Sequence, residues 1–178
     1  ELQVGDAYPR YILFSRKETS FPILYIKGET GENNTYTRLG NAALINDDPD
    51  YRYIAVFSTE STSDTVGDFE IKGPRNLAFV RIGQDNKIDP NLPDILAVTS
   101  ASKQQVNHLK WLTNYTIESH THAERPKLVA VNDNQYIILW ESWNTFSNAT
   151  DVFNGVYGLS IDKTGAVLYG PKLITDAY

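Results

Sequence analysis

Short apolar runs separated by polar turn residues recur along the whole chain. The runs hold mainly Ile, Val, Leu, Tyr and Phe, which favour strands, while Asn, Asp, Gly and Pro collect between them. No stretch keeps a helical period beyond about two turns. The nearest is "SASKQQVNHLKWL" at 100–112, where Val106, Leu109 and Leu112 would share one helix face. The pattern predicts an all-β protein with at most one short helix, at 100–112.

Three of the apolar runs resemble one another: "RYILFS" at 10–15, "RYIAVFS" at 52–58 and "QYIILWE" at 135–141. The distance from the second copy to the third is close to twice the distance from the first copy to the second. A fainter copy, "DILAVTS" at 94–100, lies about midway between the second and third copies, where a regular repeat would place one. Self-similarity at a fixed period is typical of repeat architectures. The sequence therefore predicts a structure built from repeated units.

Turn residues predict two hairpins in each unit. One turn precedes each strong copy: "GDAYP" from Gly5, "NDDPD" from Asn46 and "NDNQ" from Asn132. Apolar runs at Ala42 and Leu128 lie upstream of two of these turns and would form the partner strands. A second hairpin follows each copy: "ILYIKGETGE" from Ile23, "AFVRIGQDNK" from Ala78 and "YGLSIDKTGAVLYG" from Tyr157. Four short strands in about 42 residues are typical of a β-propeller blade.

The last unit has the most detailed pattern: "RPKLVAVNDNQYIILWESW", a polar insert, "GVYGLSIDKTG" and "LYGPKLI". It resembles the β-propeller-like repeats of large secreted microbial surface proteins, well over Arg125 to Ile174 and partly over Arg52 to Lys87. The first and third units lack the Trp-Glu and Gly-x-Tyr-Gly elements. The resemblance implies a propeller-like or stacked-sheet extracellular module and brings no catalytic residues with it. A β-sandwich, whose strands also recur at short intervals, is the alternative fold.

Length and charge narrow the class of protein. With 178 residues, 41% of them hydrophobic, the chain fits a single β-repeat domain over 1–178. Because it starts at Glu1 and contains no Met, we expect a segment or a processed product of a longer chain. The net charge of −6 is spread along the chain and gives no basic surface for nucleic acid. No apolar run approaches the roughly 18 residues of a membrane helix, so we expect no membrane insertion.

Three Asn-x-Ser/Thr triplets favour an extracellular location, secreted or at the cell surface. They begin at Asn33, Asn114 and Asn148, each in or beside a polar stretch where a glycan would project into water. The chain has no Cys, which excludes disulfides, thiolate catalysis and Cys-ligated metals without fixing the compartment.

Metal-ligating residues occur in two places, and neither has the pattern of a metal site. His120 and His122 in "ESHTHAE" have the spacing of some metal ligands, with Glu118 and Glu124 nearby, but no clear third ligand converges on them. The Asp residues of 46–50 offer oxygen ligands without the spacing of a calcium loop. We therefore predict a solvated loop and an Asp/Pro turn, with no metal and no cofactor.

Catalysis ranks third among the functional hypotheses. A glycoside hydrolase would need two carboxylates at a defined distance, and nothing in the sequence fixes the separation of Glu60, Asp64, Asp68 and Glu141. The chain contains neither a Gly-x-Ser-x-Gly elbow nor a Gly-rich phosphate loop. We expect a protein that is not an enzyme.

The first-ranked hypothesis is a structural module that assembles with copies of itself. The phrases "LQVGDAY" and "KLITDAY" at the two ends nearly match. In a closed propeller such strands complete one blade, whereas in an open array the last strand pairs with the next chain, giving rings or filaments. We predict a homo-oligomer or polymer, forming a surface layer or fibre. The strand-pairing residues would be Leu2, Val4, Tyr8, Leu173, Ile174 and Tyr178.

The alternative hypothesis is a propeller-type lectin or adhesin that binds carbohydrate. Trp143, Phe146 and Phe153 flank the polar insert "NTFSNATDVFN". Aromatic faces stack on sugars while neighbouring amides form directional hydrogen bonds. The same aromatic rings would otherwise only anchor a long loop.

Overall fold

The structure is a computed structural model that describes residues 2–5, 11–16, 19–25, 38–60, 74–99, 104–145 and 151–177. Within these ranges the chain forms twelve strands and one short 3-10 helix, Ile117–Ser119. The strands are β1 Leu2–Gly5, β2 Tyr11–Arg16, β3 Thr19–Tyr25, β4 Arg38–Leu44, β5 Tyr51–Glu60, β6 Arg75–Gly83, β7 Asp94–Thr99, β8 Gln104–Trp111, β9 Thr121–Asn132, β10 Gln135–Thr145, β11 Asp151–Ile161 and β12 Val167–Thr175. The prediction of an all-β protein is confirmed.

The strands form antiparallel sheets of three, five and four strands. Their orders are β1-β2-β3, β4-β5-β6-β8-β7 and β12-β11-β10-β9. The first and last sheets are simple meanders. In the five-stranded sheet β8, not β7, lies beside β6, through the pairs Ala78↔Trp111 and Phe79↔Lys110, and β7 forms the edge.

The four-strand repeat is therefore present in the last unit and altered in the second. β9 to β12 form one meander across the unit that best matched the propeller pattern. In the second unit the place beside β6 is occupied by β8 and not by β7, the next strand along the chain, because the β7–β8 hairpin joins the sheet through β8. The described part of the chain contains no closed propeller.

The helix predicted at 100–112 is wrong, because Gln104–Trp111 is strand β8. Six of the eight residues of β8 pair with β7, from Asp94↔Leu109 to Thr99↔Gln104. Asn107 and Leu109 are buried, while His108 and Lys110, which alternate with them, are half-buried, and this alternation is the period of a strand. Apolar residues three apart fit a helix face in a short window, and here the hairpin partner decides the structure.

The predicted hairpins β4–β5, β9–β10 and β11–β12 are confirmed by their pairing. Side chains close each turn onto the backbone. Asp48 Oδ1 accepts hydrogen bonds from the N–H groups of Asp50 and Tyr51 at 3.1 and 3.0 Å. Asn132 Oδ1 accepts from Asn134 N–H at 3.0 Å, and Asp162 Oδ1 accepts from Thr164 N–H at 2.8 Å. These contacts explain why Asx-rich stretches predicted the turns.

The core lies around the five-stranded sheet. Neighbouring residues point to opposite faces of a strand, and Ile54, Ala55, Val56 and Phe57 of β5 are all fully buried, so both faces are covered. On one side β9 packs against β4, β5 and β6, while β1 contacts β4 and β3 contacts β8. The four-stranded sheet contributes its own buried side chains: Leu128, Tyr136, Ile138, Trp140, Leu159 and Ile161.

Candidate functional site

β12 is an edge strand with no buried residue. It pairs with β11, and no strand of the described ranges pairs with its other edge. All nine of its residues are exposed. They include large apolar side chains: Val167, Leu168, Tyr169, Leu173 and Ile174, with exposed fractions from 43% to 63%. The pairing of β12 with β11 shifts register at three points, and Pro171, which follows Gly170, has no N–H to offer a partner strand. The exposed side chains of β12 therefore offer a more continuous contact surface than its interrupted backbone edge.

Apolar side chains continue from β12 onto one face of the four-stranded sheet. Along β10, Tyr136, Ile138 and Trp140 point into the core, while Ile137 between them is exposed and pairs with the exposed Val129 of β9. We call this surface the outer face. Its residues are Val129, Val131, Ile137, Leu139, Tyr169 and Ile174.

Gly158 lets two outer-face residues meet across β11. A Cβ placed at Gly158 would lie 2.9 Å from Leu139 Cδ2 and 3.2 Å from Ile174 Cγ1. A larger residue there would push apart the side chains that close over it. The outer face thus carries apolar side chains on β9, β10 and β12, with Gln135 and Ser160 hydrogen-bonded to each other between them. Together these apolar side chains form a cluster larger than scattered single residues would make.

Two lysines flank the apolar centre of the outer face. Lys127 pairs with Leu139, and Leu139 pairs with Gly158, which pairs in turn with Lys172. Residues directly opposite one another share a face of the sheet. Both lysines are exposed, so the outer face has an apolar centre with a positive charge on either side.

Two of the three aromatic residues predicted to bind a ligand lie next to each other. Trp143 and Phe153 form an edge-to-face pair with ring centroids 5.2 Å apart. Trp143 Nε1 donates to Glu141 Oε2 at 2.8 Å, and the same oxygen lies 2.5 Å from Arg125 Nη1. Phe146 lies outside the described residues. Both rings are half-buried, so the pair offers ring surface and a charged group to a ligand without forming a closed cavity.

A buried ionic cluster lies where β5 ends and β6 and β9 begin, and sequence reasoning missed it. Arg75 and Glu124 form an ion pair, and Arg75 N–H donates to His122 Nδ1 at 3.2 Å. Glu60 pairs with Arg75 across β5 and β6. All four residues are buried. The sequence signal that could have indicated this cluster was the pair of charged residues, Glu60 and Arg75, at the two ends of the long insert between β5 and β6.

Burial and the neighbouring Arg75 cation lower the pKa of His122 to about 3. The imidazole is therefore neutral at ordinary pH, and its Nδ1 serves as an acceptor for a backbone N–H group. A histidine held in this way stabilises the start of β9. The prediction of a solvated loop is therefore wrong for His122, which is buried in a strand.

The remaining metal and catalytic candidates do not converge where the structure describes them. In those ranges no three His, Asp or Glu side chains gather at metal-binding distance. Asp48 instead closes its turn. Glu60 and Glu141 lie in different places: Glu60 is opposite Arg75 in the register of β5 and β6, and Glu141 forms an ion pair with Arg125. Asp64 and Asp68 lie outside the described residues.

The predicted assembly residues are divided between two sheets. Leu2 and Val4 lie on β1, paired with Phe14 and Ile12, whereas Leu173 and Ile174 lie on β12. Tyr8 and Tyr178 lie outside the described residues. The two ends therefore do not complete one blade within the chain.

One of the three predicted glycosylation sites lies in a described range. Asn114 is exposed, in a loop whose next residue is held firmly. Tyr115 N–H donates to Asn76 Oδ1 at 2.7 Å, and the Tyr115 hydroxyl accepts from Trp140 Nε1 at 3.3 Å. Asn33 and Asn148 lie outside the described residues. Glycosylation of all three stays a prediction.

Comparison of the chain with protein-family models, curated proteins and solved structures found no match. No family or homologue is therefore identified, and the likeness to propeller repeats of secreted surface proteins stays a prediction. Among the described residues, no helix has the length and apolar character needed to cross a membrane.

Proposed function

We propose that this chain is a non-catalytic structural module that associates with copies of itself through its four-stranded sheet. The observation that carries the proposal is β12, an edge strand whose nine residues are all exposed. Five of them are large apolar side chains. The setting we propose is extracellular, in a surface layer or a fibre, as the sequons and the composition favour.

Two physical effects support association at this strand. The free edge of β12 presents backbone N–H and C=O groups on either side of Pro171, which a further strand would pair. The side chains on it and on the outer face would leave water when covered, and apolar burial stabilises by roughly 25 cal/mol for each Å². Leu173 and Ile174, predicted as assembly residues, lie on this strand.

A matched pair of substitutions tests the proposal. Ile174 on β12 and Ile95 on β7 are both on edge strands and are 57% and 58% exposed. We expect the unsubstituted chain to sediment as oligomers that grow with concentration. Ile174→Glu should shift the population to the 20.1 kDa monomer, because it places a charge in the contact, whereas Ile95→Glu should leave the oligomers unchanged.

Sedimentation velocity over a wide concentration series is the measurement, with circular dichroism to show that both variants are folded. A chain that stays monomeric at every concentration would contradict the proposal. Equal loss of association in both variants would also count against it, since it would show that contact is made by exposed apolar residues in general.

A carbohydrate-binding role is the second candidate, and the Trp143–Phe153 pair favours it. The pair lies beside the outer face, with Glu141 and Arg125 within reach of a polar ligand. Trp143→Ala should then abolish binding on a glycan array while leaving the sedimentation profile unchanged. Unchanged binding, or no binding by the unsubstituted chain, would exclude this role.

A further inference from the structure

The three sheets succeed one another in space in the order in which they occur along the chain. The first sheet contacts the second through β1 with β4 and β3 with β8, and the second contacts the third through β9. Each sheet holds one copy of the repeated phrase: β2 with "RYILFS", β5 with "RYIAVFS" and β10 with "QYIILWE". Stacking of similar units is how repeat proteins bury apolar faces that one unit cannot bury alone.

Equivalent turns of the second and third units lie side by side. The turn before β5 and the turn before β10 are joined by a hydrogen bond from Asn46 Nδ2 to Asp133 Oδ1, 2.7 Å long. Next to it, the Tyr136 hydroxyl donates to the backbone oxygen of Leu44 at 3.1 Å. These contacts place the two equivalent turns next to each other.

The faces that meet show how the two units are oriented. Val56 of β5 pairs with Phe79 of β6, and a Cβ at Gly165 in the turn before β12 would lie 2.7 Å from Phe79 Cε1, so the third unit packs on the Val56 face of β5. The third unit contributes the face that carries Trp140, and Trp140 is equivalent to Phe57, which points to the other side of β5. The two units therefore present opposite faces of the repeated strand to each other, which is a head-to-tail stack and not a two-fold contact.

The outer face is the place where a further unit in that orientation would pack. The opposite face of the same sheet is already buried against the five-stranded sheet, through residues such as Ile138 and Trp140. Continuing the order of units requires a sheet that carries the same phrase on a middle strand. The β1–β3 sheet of a second copy meets this requirement, since β2 lies between β1 and β3.

Charge on the outer face disfavours the competing arrangement, in which two outer faces meet. A two-fold axis through the centre of the face would bring Lys127 and Lys172 of both copies around one apolar area. Arg125 and Glu141 on the same side of the sheet form an ion pair and add no net charge that would offset the lysines. Like charges brought together at an interface oppose that pairing. A head-to-tail contact avoids this, because each lysine then meets a different surface.

We infer that the outer face binds the β1–β3 sheet of a second copy of this chain, packed face to face in the head-to-tail order of the units. The inference rests on the proposed self-association and adds which surfaces meet. Such a heterologous contact leaves one outer face and one β1–β3 sheet free at the ends of every oligomer, so growth gives rings or filaments and does not stop at a dimer.

Intermolecular paramagnetic relaxation tests which surfaces meet. The chain has no Cys, so Val131→Cys at the rim of the outer face carries a single nitroxide label. This labelled copy, at natural isotope abundance, is mixed with unlabelled copies enriched in ¹⁵N. We expect the amide signals of β1, β2 and β3 in the enriched copies to lose intensity, and those of β9 to β12 to keep it.

Two other outcomes overturn the inference in distinguishable ways. Intensity loss in β9 to β12 of the enriched copies, with oligomers present, would show a two-fold contact and leave the proposed self-association intact. Uniformly sharp signals together with monomeric sedimentation would contradict both. A label at Ile95→Cys is the matched control, and it should produce no selective loss in β1 to β3.

Discussion

β5 and β12 are apolar strands of similar length with opposite surroundings. In β5 the seven consecutive residues Ile54–Glu60 are buried, whereas in β12 all nine residues are exposed. β5 lies between β4 and β6 and is covered on both faces, while β12 pairs with β11 at the edge of its sheet. Apolar content alone therefore does not define the core, because the neighbours of a strand decide whether its side chains are covered.

The difference separates the part of the chain that stabilises the fold from the part that we propose forms contacts with other copies. Substitutions near β5 should lower the free energy of unfolding, and substitutions in β12 should change association and leave the fold intact. The four predictions that follow test this division, from the largest expected effect on stability to the smallest.

Phe57→Ala in β5 should destabilise the protein most. Phe57 is fully buried in the central sheet, and removing a buried aromatic ring typically costs about 3–5 kcal/mol, including the cavity that remains. Denaturant unfolding of dilute protein measures the change. A loss below about 1 kcal/mol would contradict the placement of β5 in the core.

Glu124→Gln should cost about 3 kcal/mol, because it leaves Arg75 with an incompletely compensated charge in a buried site. Glu141→Gln is the matched control. It removes the partner of Arg125 on the exposed side of the sheet and should change the free energy of unfolding by less than about 1 kcal/mol. Equal effects of the two substitutions would show that the Arg75 cluster is not desolvated.

His122→Asn should change how stability depends on pH. The pKa of His122 is about 3 in the folded protein against 6.5 for a free imidazole, so below about pH 6.5 the unfolded chain binds the proton that the folded chain excludes. As the pH falls from 6.5 to about 4.5, the native protein should lose up to about 1.4 kcal/mol per pH unit through this residue.

The Asn variant keeps an acceptor for Arg75 N–H and should show a flatter profile in that window. Carboxylates contribute at lower pH: the hydrogen bond from the Tyr51 backbone lowers the pKa of Asp48, so that group affects stability only below about pH 4. Parallel profiles for the two proteins between pH 6.5 and 4.5 would show that His122 is not held neutral.

Leu168→Ser in β12 should have the smallest effect on the fold. Leu168 is 55% exposed, and an exposed substitution away from buried contacts usually changes stability by less than about 0.5 kcal/mol. Unfolding at low concentration, where the chain is monomeric, is the measurement. A loss comparable to that of Phe57→Ala would mean that β12 belongs to the core of the monomer.

Local signals in the sequence predicted local structure well. The Asx-rich turns at Asp48, Asn132 and Asp162 predicted three hairpins, because side chains two or three residues away bond the backbone there. The unit from Arg125 to Ile174 formed the expected four-stranded meander. These features depend on residues close together in the chain, which a sequence displays directly.

Features that depend on distant pairing were not predictable. Nothing local indicates that β8 displaces β7 beside β6, and a hairpin partner overrode the helical spacing of Val106, Leu109 and Leu112. The ionic cluster brings Arg75 to Glu124 and His122 from different sheets. The sequence predicted that His122 lies in a solvated loop, whereas it is buried in β9. Burial, which makes it neutral, is a property of the folded chain.

Hydrogen exchange at two protein concentrations tests the central claim most directly, since β5 serves as the internal reference for β12. In the dilute monomer we expect slow exchange in β5 and fast exchange at the free edge of 167–175. On raising the concentration, exchange in 167–175 should slow markedly while exchange in β5 stays the same. Exchange in β12 that is identical at both concentrations would contradict the proposal that this sheet forms the contact between copies.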